Sequence, residues 1–246
     1  MNSINTFKWF VRLIIPFCFV VVLALLVSLR VNYLVVKSFI AVIADTIIYV
    51  LLAVIGWRVF IKKKVKELWL IPNVKQLFDL VVGASLVLTA ISITQILSAF
   101  PVLTSLRQGD YSLSSLAIIL LASYREEVFF RGYFLNDLIL TLKSRLFSVI
   151  ISGLVFGLIH PVSLSHHLFL SILGIILAYA AAETGSFWFS VGMHFSWNAF
   201  SGAAFSNSAD WVFPNVLGIG IVGILVFIYI KLASKLFLRR QNVFSD

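Results

Sequence analysis

Long apolar runs recur from one end of the chain to the other, and the short segments between them carry most of the charge. A soluble helix alternates an apolar stripe with a polar face; a run that is apolar all round and approaches 20 residues matches a hydrocarbon layer instead. The pattern predicts eight spans, at residues 13–29, 38–57, 77–100, 113–123 (continuing toward a pair of glutamates), 146–159, 168–182, 186–205 and 212–230. Lys8 and Arg12 ahead of the first run look like the start of a signal peptide. That run is long for a signal, lacks a small-x-small exit and continues into Arg30, so a retained first span is expected. The expected fold class is therefore an all-α polytopic membrane protein of about eight transmembrane helices.

Composition agrees. Hydrophobic residues make up 61% of the chain and charged residues 12%, against roughly 45–50% and about 25% in soluble domains. A soluble enzyme is excluded. The net charge of +9 raises the question of nucleic acid, but no basic groove interleaved with aromatics stands clear of the apolar runs. No nucleic-acid partner is expected. With a cytoplasmic N-terminus, sixteen of the 19 Lys and Arg fall in inside segments, leaving only Arg30, Lys37 and Arg107 outside. That asymmetry predicts a multi-pass cell-membrane protein with both termini cytoplasmic, although Arg125 and Arg131 are better discounted as interior residues. Residues 62–80 combine clustered lysines with Leu68, Trp69, Leu70 and Ile71, which suggests an interfacial segment facing anionic headgroups. The single Cys18 allows no internal disulfide and no multi-cysteine metal site.

An ionisable group in the hydrocarbon layer costs at least about 2.5–3.5 kcal/mol, so such residues face a protein interior or water. The candidates are Asp45, Glu126, Glu127, Arg131, His160, Glu183, His194 and Asn198. Asp45, alone in its span, reads best as a carboxylate satisfied by a neighbouring helix. Glu127 and Arg131 are four apart and close enough to pair on a helix, while Glu126 points about 100° away and stays free for proton chemistry. Gly153, Gly157 and His160 form one stripe, where the glycines let another helix approach and aim the histidine into the bundle. His194 and Asn198 are again four apart on one face. His166 and His167 follow Pro161 in what reads as a short, wetted loop and are set aside.

A Glu pair with an Arg four on, a His 34 residues later and a His-x-x-x-Asn another 34 later are the parts of a hydrolytic site. Glu126 and His160 could activate water, and His194 and Asn198 could stabilise the anion formed at a carbonyl. No Gly-x-Ser-x-Gly and no His-Glu-x-x-His is present, which disfavours a serine nucleophile and a site-2-type zinc protease.

Glu126-Glu127-x-x-x-Arg131, Phe156-x-x-x-His160 and His194-x-x-x-Asn198, in that order and separation, resemble the CPBP family, which comprises type II CAAX prenyl endopeptidases and bacterial bacteriocin-immunity and abortive-infection-type relatives. The resemblance covers residues 113–205, set between N-terminal helices with a basic loop (1–112) and a last helix with a basic tail (206–246). It implies an eight-helix intramembrane protease opening to the cytoplasm. Glu126 and His160 would be its water-activating pair, Glu127 and Arg131 its supporting residues, and His194 and Asn198 its oxyanion and orienting groups. No cofactor is favoured; zinc held by Glu126, His160 and His194 is the alternative. The expected partner is a peptide or membrane-protein substrate, in CAAX-type processing or bacteriocin self-immunity, within a bilayer bearing anionic headgroups. Two rivals from other classes are a non-catalytic immunity protein that binds in the membrane and an ion-coupled transporter, although the inverted repeat typical of the latter is not detectable.

Overall fold

The computed structural model describes residues 39–68, 70–97, 113–160, 164–201 and 212–243. The expected first span at 13–29 with its flanking Lys8 and Arg12, Cys18, the outer basic residues Arg30, Lys37 and Arg107, and Trp69 lie outside the described residues. So do the far ends of the spans at 98–100 and 202–205 and the side chains of the basic tail.

Every described element is helical. Helix α1 (Phe39–Gly56) continues as a π turn, Trp57–Ile61, and ends where Lys62 takes a left-handed conformation at φ 61°. A short 3-10 turn, Val65–Leu68, leads to α2 (Val74–Leu97). Helix α3 (Leu113–Glu127) runs through a seven-residue π-helical stretch, Val128–Phe134, into α4 (Leu135–Leu142). The glutamate pair therefore sits in the middle of a long helical rod rather than at a helix end. Then follow α5 (Arg145–Leu158), α6 (Leu164–Thr184), α7 (Phe187–Ser196) with its π extension Trp197–Ser201, and α8 (Val212–Val243).

Local chemistry explains the breaks. Lys143 caps α4 in the left-handed region, and Ser144, with extended backbone, starts α5 by accepting the Phe147 N–H on its side chain. Gly185, at φ +66°, closes α6 with its N–H on the Ala181 carbonyl, a geometry that favours glycine. His166 and His167 belong to the first turn of α6 rather than to a loop, and the His167 ring donates from Nδ1 to the Gly157 carbonyl. Pro161 made that stretch read as a loop, but the helix starts within three residues of it.

The chain is an all-α membrane protein. Among the described residues four helical segments are long and apolar enough to cross a membrane: Val42–Ile61, Val74–Leu97, His166–Thr184 and Val216–Ser234. The count of eight is not established. The predicted spans at 113–123, 146–159 and 186–201 are helical, but α3 gives apolar positions over to Glu126 and Glu127, and α5 and α7 are short. The outer faces look like lipid contacts. Ile47, Leu51 and Ile55, spaced four apart on α1, are each more than half exposed, an arrangement unfavourable in water and ordinary against acyl chains.

Inside, two aromatic and aliphatic cores form. Phe129, Phe130, Tyr133, Phe134, Phe156, Phe187 and Trp188 knit α1, the π stretch, α5 and the start of α7. Val87, Leu173, Leu177, Phe189, Met193, Trp197, Val222 and Val226 join α2, α6, α7 and α8. Between them the backbones touch. A methyl added at Gly153 would run into the Ile175 backbone and one added at Gly157 into the Ser171 backbone, so the predicted glycine stripe is where α5 meets α6. The same holds for Gly83 and Gly192, which let α2 and α7 approach backbone to backbone. Gly153→Val should therefore overpack a backbone contact, costing about 1–3 kcal/mol or more. Its lower melting temperature in detergent checks this; an unchanged value would mean that α5 and α6 are farther apart than described.

Candidate active site

The π-helical stretch is buried along its whole length and delivers Arg131 under Glu127. Arg131 Nη1 donates to Glu127 Oε1 at 2.9 Å, with both side chains 0% exposed. Its Nη2 donates to the Gly174 carbonyl of α6 at 2.9 Å, tying the pair to a second helix. Glu127 Oε1 also accepts from His194 Nδ1 on α7 at 2.8 Å. One carboxylate oxygen thus holds an arginine and a histidine in place. π-helical turns of this kind are often found at functional positions.

Glu126 faces the other way. Its Oε2 lies 3.7 Å from His160 Nε2 and 3.8 Å from His194 Nε2, and it has no hydrogen-bond partner among the described residues. The tautomers follow from the opposite ring nitrogens. His160 Nδ1 is 2.6 Å from the Phe156 carbonyl, an acceptor only, so that nitrogen carries the hydrogen. His194 Nδ1 is likewise committed to Glu127. Both imidazoles therefore present Nε2 to the same carboxylate oxygen, each ring oriented by a fixed acceptor behind it.

Exposure divides the cluster. The Glu126 and His160 side chains are 19% and 26% exposed, whereas Glu127 and Arg131 are sealed and His194 is 4% exposed. Phe156 is the hub behind them. Its ring stacks under the Arg131 guanidinium at 4.4 Å, meets the His160 ring edge-on at 4.8 Å and meets His194 at 5.6 Å.

Asn198 is placed differently. It lies in the π turn after α7, is exposed, and its Nδ2 is 3.5 Å from Ser123 Oγ on α3, one turn before the glutamates. Asp45 accepts from Arg125 Nη1 at 3.0 Å, and Glu183 from Arg145 at 3.1 Å. Both carboxylates are thus paired across helices and stand outside the central cluster. Ser123, the Gly174 carbonyl and the role of Phe156 had no signal in the sequence beyond the Phe-x-x-x-His spacing. Among the described residues no group of three His, Cys, Asp or Glu stands in a geometry that could hold a metal ion; Glu126, His160 and His194 are the set on which a metal assay bears.

Fold and site together define a helical membrane protein with a polar centre enclosed by its helices. Residues 108–200 match the family model described as Type II CAAX prenyl endopeptidase Rce1-like, in keeping with the CPBP resemblance. No curated protein and no solved structure matches the chain.

Proposed function

We propose that the chain is an intramembrane endopeptidase that hydrolyses a peptide bond of a membrane-associated substrate with a water activated by Glu126 and His160. The observation that carries this reading is Glu126 Oε2, without a hydrogen-bond partner among the described residues, facing two oriented Nε2 atoms at 3.7 and 3.8 Å. A water bound beside Glu126 and His160 gives a proton to Glu126 Oε2 as its oxygen attacks the carbonyl carbon. The His194 ring, held from behind by Glu127, and the Asn198 amide stabilise the oxyanion. The proton then passes from Glu126 to the leaving amine as the C–N bond breaks.

The proposed catalytic unit is residues 113–205, flanked by the helices of 1–112 and 206–246, with both termini on the cytoplasmic side. The substrate class, in this reading, is a peptide or membrane-protein segment, as in CAAX-type processing or in a bacteriocin-immunity role. The mechanism needs no metal. Detergent-purified protein cleaving a candidate peptide should therefore ignore a chelator, and Asn198→Ala should lower turnover by roughly 10²–10³-fold if its amide is a principal oxyanion donor. Stoichiometric zinc, with activity lost on its removal and restored on its return, would replace this mechanism by one with zinc on Glu126, His160 and His194.

A further inference from the structure

A cavity of about 450 Å³ opens at the end of the bundle where α4 meets α5 and α6 meets α7. Its chemistry suits an anion. Lys63 and Arg145 stand in its wall, and the N-terminus of α7 enters it through Ser186 and Phe187. Ser186 occupies the N-cap position of α7, yet its hydroxyl makes no capping bond. That hydroxyl is buried, in a residue 5% exposed, and has no partner among the described residues. The first turn of a helix offers backbone N–H groups and the positive end of the macrodipole, the usual ingredients of a phosphoryl site.

The Nε–H of Arg131, a residue that also lines the cavity, has no acceptor among the described residues, although its two terminal nitrogens are both engaged. The loop that carries Lys63 is tied down beside the opening: the Trp57 indole donates to the Lys64 carbonyl at 3.1 Å, and Glu67, the carboxylate in the wall, accepts the Lys64 N–H. Glu67 keeps its negative charge, and Lys63 and Arg145 outnumber it in the wall. Arg145 keeps its own contact with Glu183 at 3.1 Å but is 57% exposed and can turn toward a ligand.

The surroundings identify the source of the anion. Leu146 and Phe147, directly after Arg145, are 67% and 62% exposed, and Leu140 and Val59 are more than half exposed. A basic rim bordered by bare apolar side chains is where a lipid headgroup meets its acyl chains. We propose that this cavity binds the phosphoryl group of an anionic phospholipid, held by Lys63, Arg145, the Ser186 hydroxyl and the first N–H groups of α7, with the acyl chains lying along Leu146 and Phe147.

The test uses the full chain in phosphatidylcholine vesicles with and without phosphatidylglycerol. The readouts are the lipid retained by the purified protein and the melting temperature. The parent should retain phosphatidylglycerol selectively and melt higher with it; Lys63→Gln/Arg145→Gln should lose both effects. Lys64→Gln/Lys66→Gln removes the same charge from exposed lysines that do not line the cavity and should keep them. Ser186→Ala, which breaks no capping bond, should melt like the parent without lipid and still retain less phosphatidylglycerol. No preference in the parent, equal loss in the Lys64/Lys66 variant, or unchanged retention in both cavity variants would overturn the site. Displacement of phosphatidylglycerol by inorganic phosphate alone would overturn the lipid as its occupant.

Discussion

Glu126→Gln is expected to lower kcat by roughly 10²–10⁴-fold, the usual cost of removing a general base, while the protein keeps its melting temperature. The amide preserves the shape of the side chain but cannot take a proton from water. The fold should tolerate it because Glu126 Oε2 makes no hydrogen bond among the described residues and the side chain is 19% exposed, so no buried pair is broken. Turnover comparable to the parent would remove Glu126 from the role of base. A large drop in melting temperature would show that the carboxylate supports the fold as well.

Glu127→Ala should behave in the opposite way. Glu127 Oε1 accepts from both Arg131 and His194, at 2.9 and 2.8 Å, from a fully sealed position. Removing it leaves the Arg131 guanidinium buried against Phe156 with the Gly174 carbonyl as its one acceptor among the described residues. Breaking a buried pair from one side typically costs about 3–5 kcal/mol, and His194 loses the acceptor that orients its ring. Poor yield, a lower melting temperature and lost turnover are expected together, read by thermal unfolding in detergent beside a cleavage assay. A protein of normal stability that has lost only turnover would transfer the chemistry from Glu126 to Glu127.

Much of this was legible in the sequence because it is local. The membrane class follows from apolar runs that no soluble helix would carry, and Glu127 with Arg131 is an i, i+4 pair that any helical backbone brings together. The Gly153 and Gly157 stripe likewise depends only on helical periodicity. What escaped depends on contacts between distant helices or on backbone forms without a residue code. Nothing in Val128–Phe134 announces a π-helical stretch. The partner of Asp45 was expected to be a neighbouring helix but could not be named as Arg125, 80 residues away. Asn198, four residues after His194, lies in a π turn that begins at Trp197, and its amide reaches Ser123 of α3, a contact the spacing does not announce. The number of spans stayed open for a related reason: α3 carries charges beside its apolar run, and α5 and α7 are short among the described residues.

In the proposed mechanism Glu126, flanked by His160 and His194, directs water onto a peptide bond. Its most direct test is to incubate a membrane-associated peptide with purified parent protein and with Glu126→Gln in isotopically labelled water, and to read the products by mass spectrometry. The account predicts a new C-terminal carboxylate carrying one solvent oxygen from the parent and none from the variant. Equal yields from the two proteins would contradict it.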